Sequence, residues 1–418
     1  MMYFCYLRRM KRNNLLLGLA LGFGALFISQ AAEGMRISSD AVKMNTSSFD
    51  AATQPSDPVF RPATEFVLLG RGVPVAAQGV PVAGQGVPVT AASDTSDRVP
   101  GMDYARLPLS ERPNYRPELW YLGMNSAGLS IRFRSNSPSI SVRWQPLNNF
   151  AMNHMTATGV RGLDLYILRE DNGQWAYAGT AQPSQKSDCR ATMIAHMDTT
   201  YKEFLLHLPL YDGLRSLEIG TPEGFLLEQP AIDLPKRGKP IVFYGTSITQ
   251  GGCASRPGMA YPAIVQRVLQ QETVNLGFSG NARMDASIGD LLATIDAGVY
   301  VIDCLPNCTV ELVRARGYAF LKTLLDAKPN VPVYMVTYQM EPKTVFDKSL
   351  EKGLVEINAL WQTIYKRLCA EGYGGRLSYI DNLNLTQGDF SENTVDGTHL
   401  TDLGFQRLAQ VFVAAFRP

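Results

Sequence analysis

Five residues after position 236 are of the types that acyl transfer requires, and each sits in a short loop-like block between longer regular stretches. Ser247 lies in IVFYGTSITQGG, where an apolar run stops at Gly245. Gly280 lies in NLGFSGNA, Asn307 in DCLPNCT, and Asp396 and His399 in VDGTHLTDLG. A serine alone is a poor nucleophile, so chemistry at Ser247 needs a base to take its proton and donors to hold the charge that develops on the substrate oxygen. Of the four histidines, His154, His196, His207 and His399, only His399 follows residue 236. A loop Asp-x-x-His can fold so that the carboxylate takes the imidazole Nδ1–H and leaves Nε2 facing a serine. Glycine at 280 lets the backbone approach a ligand and offer its N–H, and Asn307 adds a side-chain amide donor.

For these residues to meet, their blocks must lie on one edge of the fold. After Pro235, short apolar runs at 241–244, 273–276, 299–304, 333–337 and 377–380 read as strands. Helical patterns start near Tyr261-Pro262 and cover 287–297, 314–327, 351–370 and 402–415. Strands alternating with helices give a parallel, doubly wound sheet, a flavodoxin-like three-layer α/β/α domain whose ligands bind beyond the carboxyl ends of the strands. All five candidate residues follow such strand ends. Residues 101–235 carry a different pattern. The runs 129–135, 139–145, 163–168, 175–181, 203–210 and 214–220 mix alternation with turn residues, which reads as an antiparallel, jelly-roll-like β-sandwich.

Residues 32–100 lack sustained periodicity. GVPVAAQ, GVPVAGQ and GVPVTAA, starting at Gly72, Gly79 and Gly86, form a three-fold heptad with a proline in every copy, which reads as a linker and is too short for a solenoid. The first 31 residues place Arg8, Arg9, Lys11 and Arg12 before an apolar run from Leu15 to Ile28 and a small-x-small site at Ser29-Gln30-Ala31. That is the pattern of a signal peptide, starting from Met1 or Met10, and about 14 apolar residues fall short of the ~20 that span a bilayer. The expected product is exported, periplasmic or secreted, with no stable membrane span. Without residues 1–31 the chain holds 35 Lys+Arg against 38 Asp+Glu, a net charge of −3, which leaves no basic field for nucleic acid. Five cysteines remain, Cys189, Cys253, Cys304, Cys308 and Cys369. Their odd number and wide spacing favour free thiols over a disulfide framework, and Cys304-x3-Cys308 does not fit zinc spacing.

At these blocks the chain resembles the SGNH/GDSL hydrolases, in the lipase-like GDSL branch preceded by a GxDLY domain. GTSITQGG resembles the block bearing the nucleophile, GFSGN the glycine block, PN the asparagine block and DGTH the block bearing acid and base, in the family's order over 236–418. Gly162-Leu163-Asp164-Leu165-Tyr166 matches the GxDLY signature and extends the similarity to 101–418. The resemblance implies Ser247 as nucleophile, the N–H groups of Ser247 and Gly280 with the Asn307 amide as oxyanion hole, and Asp396–His399 as the orienting and proton-carrying pair. Thr246 stands where the family has the aspartate of its GDS motif, and Pro306 precedes Asn307. The elbow Gly-x-Ser-x-Gly of the α/β-hydrolases is met by neither GTSIT nor GFSGN, and phosphate-cradling patterns are absent.

The expected activity is a serine esterase that needs no cofactor or metal and removes short acyl groups, acetyl first, from a small-molecule or polysaccharide ester. A lipase or thioesterase of the same fold and an inactive carbohydrate-binding protein are the competing readings. Strand alternation puts Asp164 and Tyr166 opposite the core-facing Leu163, Leu165 and Ile167, so Asp164 reads as holding a loop or the domain junction in preference to a substrate role. Trp120, Trp144, Trp175 and Trp361 read as core in preference to a sugar platform.

Overall fold

The computed structural model describes residues 57–72, 101–233, 237–382, 384–385 and 392–417. Residues 1–31, read above as a signal peptide, and most of the proline-bearing repeats lie outside the described residues. Ten antiparallel strands build a two-sheet sandwich: β1 (Val59–Pro62), β2 (Val67–Leu69), β3 (Ser130–Ser135), β4 (Ile140–Pro146), β5 (Leu163–Leu168), β6 (Trp175–Ala181), β7 (Cys189–Ile194), β8 (Lys202–His207), β9 (Leu214–Thr221) and β10 (Leu227–Glu228). One sheet has the order β1-β9-β4-β7; the other runs β10-β3-β8-β5-β6, with β2 also pairing β3. Their inward residues form one core around Trp144, Phe133 and Phe204, the two phenylalanine rings stacked at 4.9 Å.

Two of these strands correct the reading of 32–100 as linker. β1 pairs with β9 and β2 with β3, and Ala63, Phe66 and Leu68 are buried in the sandwich core. Strands of four and three residues are shorter than the window over which alternation shows, so their pairing is set by the sheets they join. β7 was also not legible. It is a half-exposed edge strand of only six residues, in which Cys189, Ala191 and Met193 face inward and Arg190 and Thr192 are exposed.

The second layer system is a five-stranded sheet of β11 (Arg237–Gly245), β12 (Gln271–Gly277), β13 (Val299–Asp303), β14 (Val333–Val336) and β15 (Leu377–Ile380), all parallel in the order β12-β11-β13-β14-β15. The central run Ile241–Gly245 is buried throughout because both faces are covered. Val242 and Tyr244 pack with the helices Ala286–Thr294, Tyr318–Ala327 and Lys348–Leu368. Ile241 and Phe243 pack on the other face with Tyr261–Leu269 and Asp402–Phe416, Phe243 meeting the rings of Tyr261 and Phe412 at 5.3 Å each. Register carries this architecture into the site. Gly245 is opposite both Gly277 and Asp303, so the three strands end level and their following loops emerge side by side.

Candidate active site

Ser247 opens a single helical turn, Ser247–Gln250, directly after β11. Thr246, at the position where the resemblance expects aspartate, caps that turn by accepting from Ile248 N at 3.2 Å. Gly245 has to be glycine here, because a Cβ would overlap the Thr249 hydroxyl and lie 2.7 Å from Asp303 O. This close approach presents Ser247 beyond the sheet edge. Its Oγ lies 2.9 Å from His399 Nε2.

His399 is held by a tight loop closed by the Thr394–Leu400 bridge, with Val395 N donating to His399 O at 2.8 Å. Thr401, not Asp396, caps the following helix. Asp396 is thereby free to face the imidazole: its Oδ2 is 2.7 Å from His399 Nδ1, and its Oδ1 accepts from the N–H groups of Thr398 and His399 at 3.0 and 2.8 Å. Partial burial alone raises the Asp396 carboxyl, and the hydrogen bonds from the His399 ring and the two backbone N–H groups overcome it, holding the carboxyl at about 2. Asp396 therefore stays a carboxylate over the working pH range. It fixes the tautomer that leaves Nε2 to accept the serine proton.

The other two blocks arrive at the same edge. Gly280 has φ +68°, a left-handed conformation that favours glycine, and a Cβ added there would meet nothing within 4 Å, so its backbone faces open space. Asn307 ends a 3-10 turn, Leu305–Asn307, in which Pro306 is tolerated in the first positions. Its Oδ1 accepts from Ala282 N at 3.2 Å, which leaves the Nδ2 hydrogens as the part of the amide that can donate to a ligand. The structure thus brings Ser247, Gly280, Asn307, Asp396 and His399 to one edge.

Several positioning groups carry no sequence signal. Arg106 of the sandwich, 1% exposed, donates to Asn275 O and Gly277 O at 2.9 and 2.7 Å and to Asn125 O and Leu122 O at 2.9 and 2.6 Å. It ties the end of β12 to the sandwich just before the glycine block, and burial lowers its guanidinium to about 9. Gln250, fully buried, donates to Leu210 O and accepts from Ser279 N, each at 3.0 Å, so it joins nucleophile turn, sandwich and glycine block. Tyr211 OH donates to Ser247 O at 3.3 Å. His154, by contrast, makes no hydrogen bond to these groups among the described residues and only sits with its ring centroid 5.9 Å from that of His399.

Asp164 does not reach Ser247 or His399. It is fully buried and accepts from Arg256 Nη1 at 2.6 Å, from Gly258 N at 2.9 Å and from the Thr180 hydroxyl. The signature aspartate thus anchors the loop before the helix Tyr261–Leu269 onto the sandwich. Beside the glycine block a cleft of about 480 Å³ is walled by Tyr121, Phe150, Met152 and Tyr211 and closed by Ser279 and Asn281. Asn125 also faces it, its Oδ1 buried without a hydrogen-bond partner. No tryptophan lines this cleft. Trp144 and Trp361 are core residues. Cys189, Cys253, Cys304, Cys308 and Cys369 are all unpaired thiols, and no helix among the described residues is long and apolar enough to cross a membrane.

The model of the GDSL-like lipase/acylhydrolase family matches residues 238–417, and that of the GxDLY N-terminus of SGNH-hydrolase-type esterases matches 90–226. A solved structure from Bacteroides ovatus ATCC 8483, described as GDSL-like lipase, is 31% identical over 86% of this chain and 97% of its own, with a TM-score of 0.74. The chain belongs to the GDSL-like lipase/acylhydrolase family. It is an ester-hydrolysing enzyme of the SGNH/GDSL serine hydrolase type. A salicylyl-acyltransferase from a tetracycline biosynthetic pathway shares the fold, with a TM-score of 0.61 at 16% identity, over 74% of this chain and 87% of its own. No curated protein sequence matches the chain.

Proposed function

We propose that this GDSL-family enzyme is an exported esterase that removes short acyl groups, acetyl first, from carbohydrate through an acyl-enzyme on Ser247. The observation that carries the reading is the continuous relay from Ser247 Oγ through His399 to Asp396, at 2.9 and 2.7 Å. His399 Nε2 takes the hydroxyl proton as Oγ attacks the ester carbonyl, and the carbonyl oxygen acquires the negative charge. The N–H groups of Ser247 and Gly280 and the Asn307 amide receive that oxyanion. When the C–O bond to the alcohol breaks, Nε2–H protonates the leaving oxygen and the acyl group stays on Ser247. Water then attacks the acyl-enzyme by the same route, giving up its proton to Nε2 and releasing the carboxylic acid and free serine.

The cleft supports the substrate class. Tyr121 and Phe150 are 47% and 40% exposed, so they offer ring faces to solvent, and Asn125 and Asn281 add polar groups to the lining. Aromatic faces with amides beside them suit the apolar face and hydroxyl edge of a sugar ring. The same apolar walls would also accept a longer acyl chain, which keeps the lipase reading as the one to test against. Export rests on the residues of the first 31 positions. Rates on acetyl, butyryl, octanoyl and palmitoyl esters, with an acetylated oligosaccharide alongside, decide the acyl reading: a fall from acetyl to palmitoyl is expected, and a rise toward palmitoyl overturns it.

A further inference from the structure

Beside the hydrolytic relay, two side chains with no role in the chemistry above, one from each domain, gather around the catalytic histidine. His154 comes from the sandwich loop after β4, and Cys253 from the turn that follows the nucleophile helix. The third member is His399 itself. One nitrogen from each ring and the Cys253 sulfur all lie within 4.8 Å of one another. Cys253 is held in place by an unusual backbone, with φ +72°, and is 8% exposed. Asn153 Oδ1 engages His154 Nδ1 at 2.9 Å, which leaves Nε2 as the free nitrogen on an exposed ring.

We infer that His154, Cys253 and His399 form a binding site for a soft divalent cation such as Zn²⁺ or Cd²⁺, and that its occupation switches off the esterase. Two imidazoles and a thiolate are the donors such ions prefer, and three protein ligands leave a fourth position for water. Metal–ligand bonds of ~2.0–2.3 Å place the ligand atoms of a tetrahedral ion roughly 3.3–3.8 Å apart, so the cluster has to close by about 1 Å. The exposed His154 ring can supply that movement. On binding, the Cys253 thiol loses its proton to solvent as the metal–sulfur bond forms.

The consequence for catalysis follows from His399. Its Nδ1 meets Asp396 and its Nε2 meets Ser247, so a metal on either nitrogen breaks the relay. A metal on Nε2 takes the lone pair that accepts the serine proton, and a metal on Nδ1 displaces the carboxylate. Either way the ion also pins the sandwich to the hydrolase domain over the nucleophile. The inference rests on His399 as the base.

The test titrates the purified full chain with CdCl₂, following the ultraviolet thiolate-to-Cd²⁺ charge-transfer band, and measures ester hydrolysis against ZnCl₂. Wild type should show a one-equivalent band and reversible inhibition, with activity restored by chelator. Cys253→Ser should lose the band, and both Cys253→Ser and the exposed-site variant His154→Gln should keep basal turnover. Each should raise the half-inhibitory Zn²⁺ concentration by more than about tenfold, since loss of even a supporting group around a metal weakens it by ~10–100-fold. Absence of the band in wild type, or equal Zn²⁺ sensitivity in all three proteins, overturns the site. A wild type that binds Cd²⁺ through Cys253 yet keeps full activity overturns the control mechanism, whereas His399 as base fails separately, if metal-free His399→Ala keeps wild-type turnover.

Discussion

Replacing Asp164 with alanine should loosen the junction between the domains without touching the chemistry. The carboxylate is fully buried and takes three hydrogen bonds, from Arg256, Gly258 N and the Thr180 hydroxyl. Removing one partner of a buried ion pair typically costs ~3–5 kcal/mol, because the other charge and its donors are stranded. Arg256 keeps the Tyr166 hydroxyl at 2.7 Å and its side chain is 22% exposed, which puts the expected loss at the lower end, about 3 kcal/mol. The ~2–4 °C per kcal/mol of a 150–250-residue protein roughly halves for a chain of this length, so Tm should fall by roughly 3–6 °C. Scanning calorimetry gives that fall, and initial rates well below the transition should stay within a few-fold of wild type. Asp164→Asn, which keeps the shape and one acceptor, should fall less. An unchanged Tm would refute the anchoring role, and a normal Tm with a large loss of kcat would place Asp164 in the reaction.

Asn307→Ala should lower kcat by ~10²–10³ with little change in KM, the usual loss for one oxyanion donor, and an unchanged kcat in steady-state assays would make Asn307 structural. Asp303 is pushed up to about 7 by burial, against opposing hydrogen bonds from Tyr261 and Thr249. Because the folded state then holds its proton more tightly than the unfolded chain, this group's contribution to stability falls as pH rises from about 4 to about 7, by at most ~4 kcal/mol. Asp303→Asn should therefore gain in Tm relative to wild type on going from pH 5 to pH 8, and a pH-independent difference would refute the assignment. A chain beginning at residue 101 should lose at least about 3 kcal/mol by denaturant unfolding, since Phe66 and Leu68 leave the sandwich core; unaltered stability would show that β1 and β2 add nothing.

The site was legible where a residue type is chemically irreplaceable. A serine after a strand-ending glycine, a glycine that needs φ +68° and a histidine three residues after an aspartate each announce themselves. The parallel sheet was legible too, because strands buried on both faces read as unbroken apolar runs. What failed to show was whatever depends on contacts distant in sequence. Arg106 lies about 170 residues from the carbonyls of β12 that it holds, and nothing in its local pattern sets it apart from a surface arginine. Gln250 lies in the nucleophile block, yet its two partners belong to Leu210 and Ser279. His154 gains meaning only when the sandwich packs its loop beside His399. The alternation around Asp164 gave its face correctly, but its partners Arg256 and Gly258 came only with the packed domains.

The central claim is that Ser247 is the nucleophile, and the most direct test is covalent. The native protein is treated with a fluorophosphonate ester and the adduct located by peptide mass spectrometry. One adduct on Ser247 is expected, with loss of esterase activity in proportion to labelling, and Ser247→Ala should fold normally, take no label and lose nearly all turnover. A label on another residue, or wild-type turnover by a folded Ser247→Ala protein, would contradict the account.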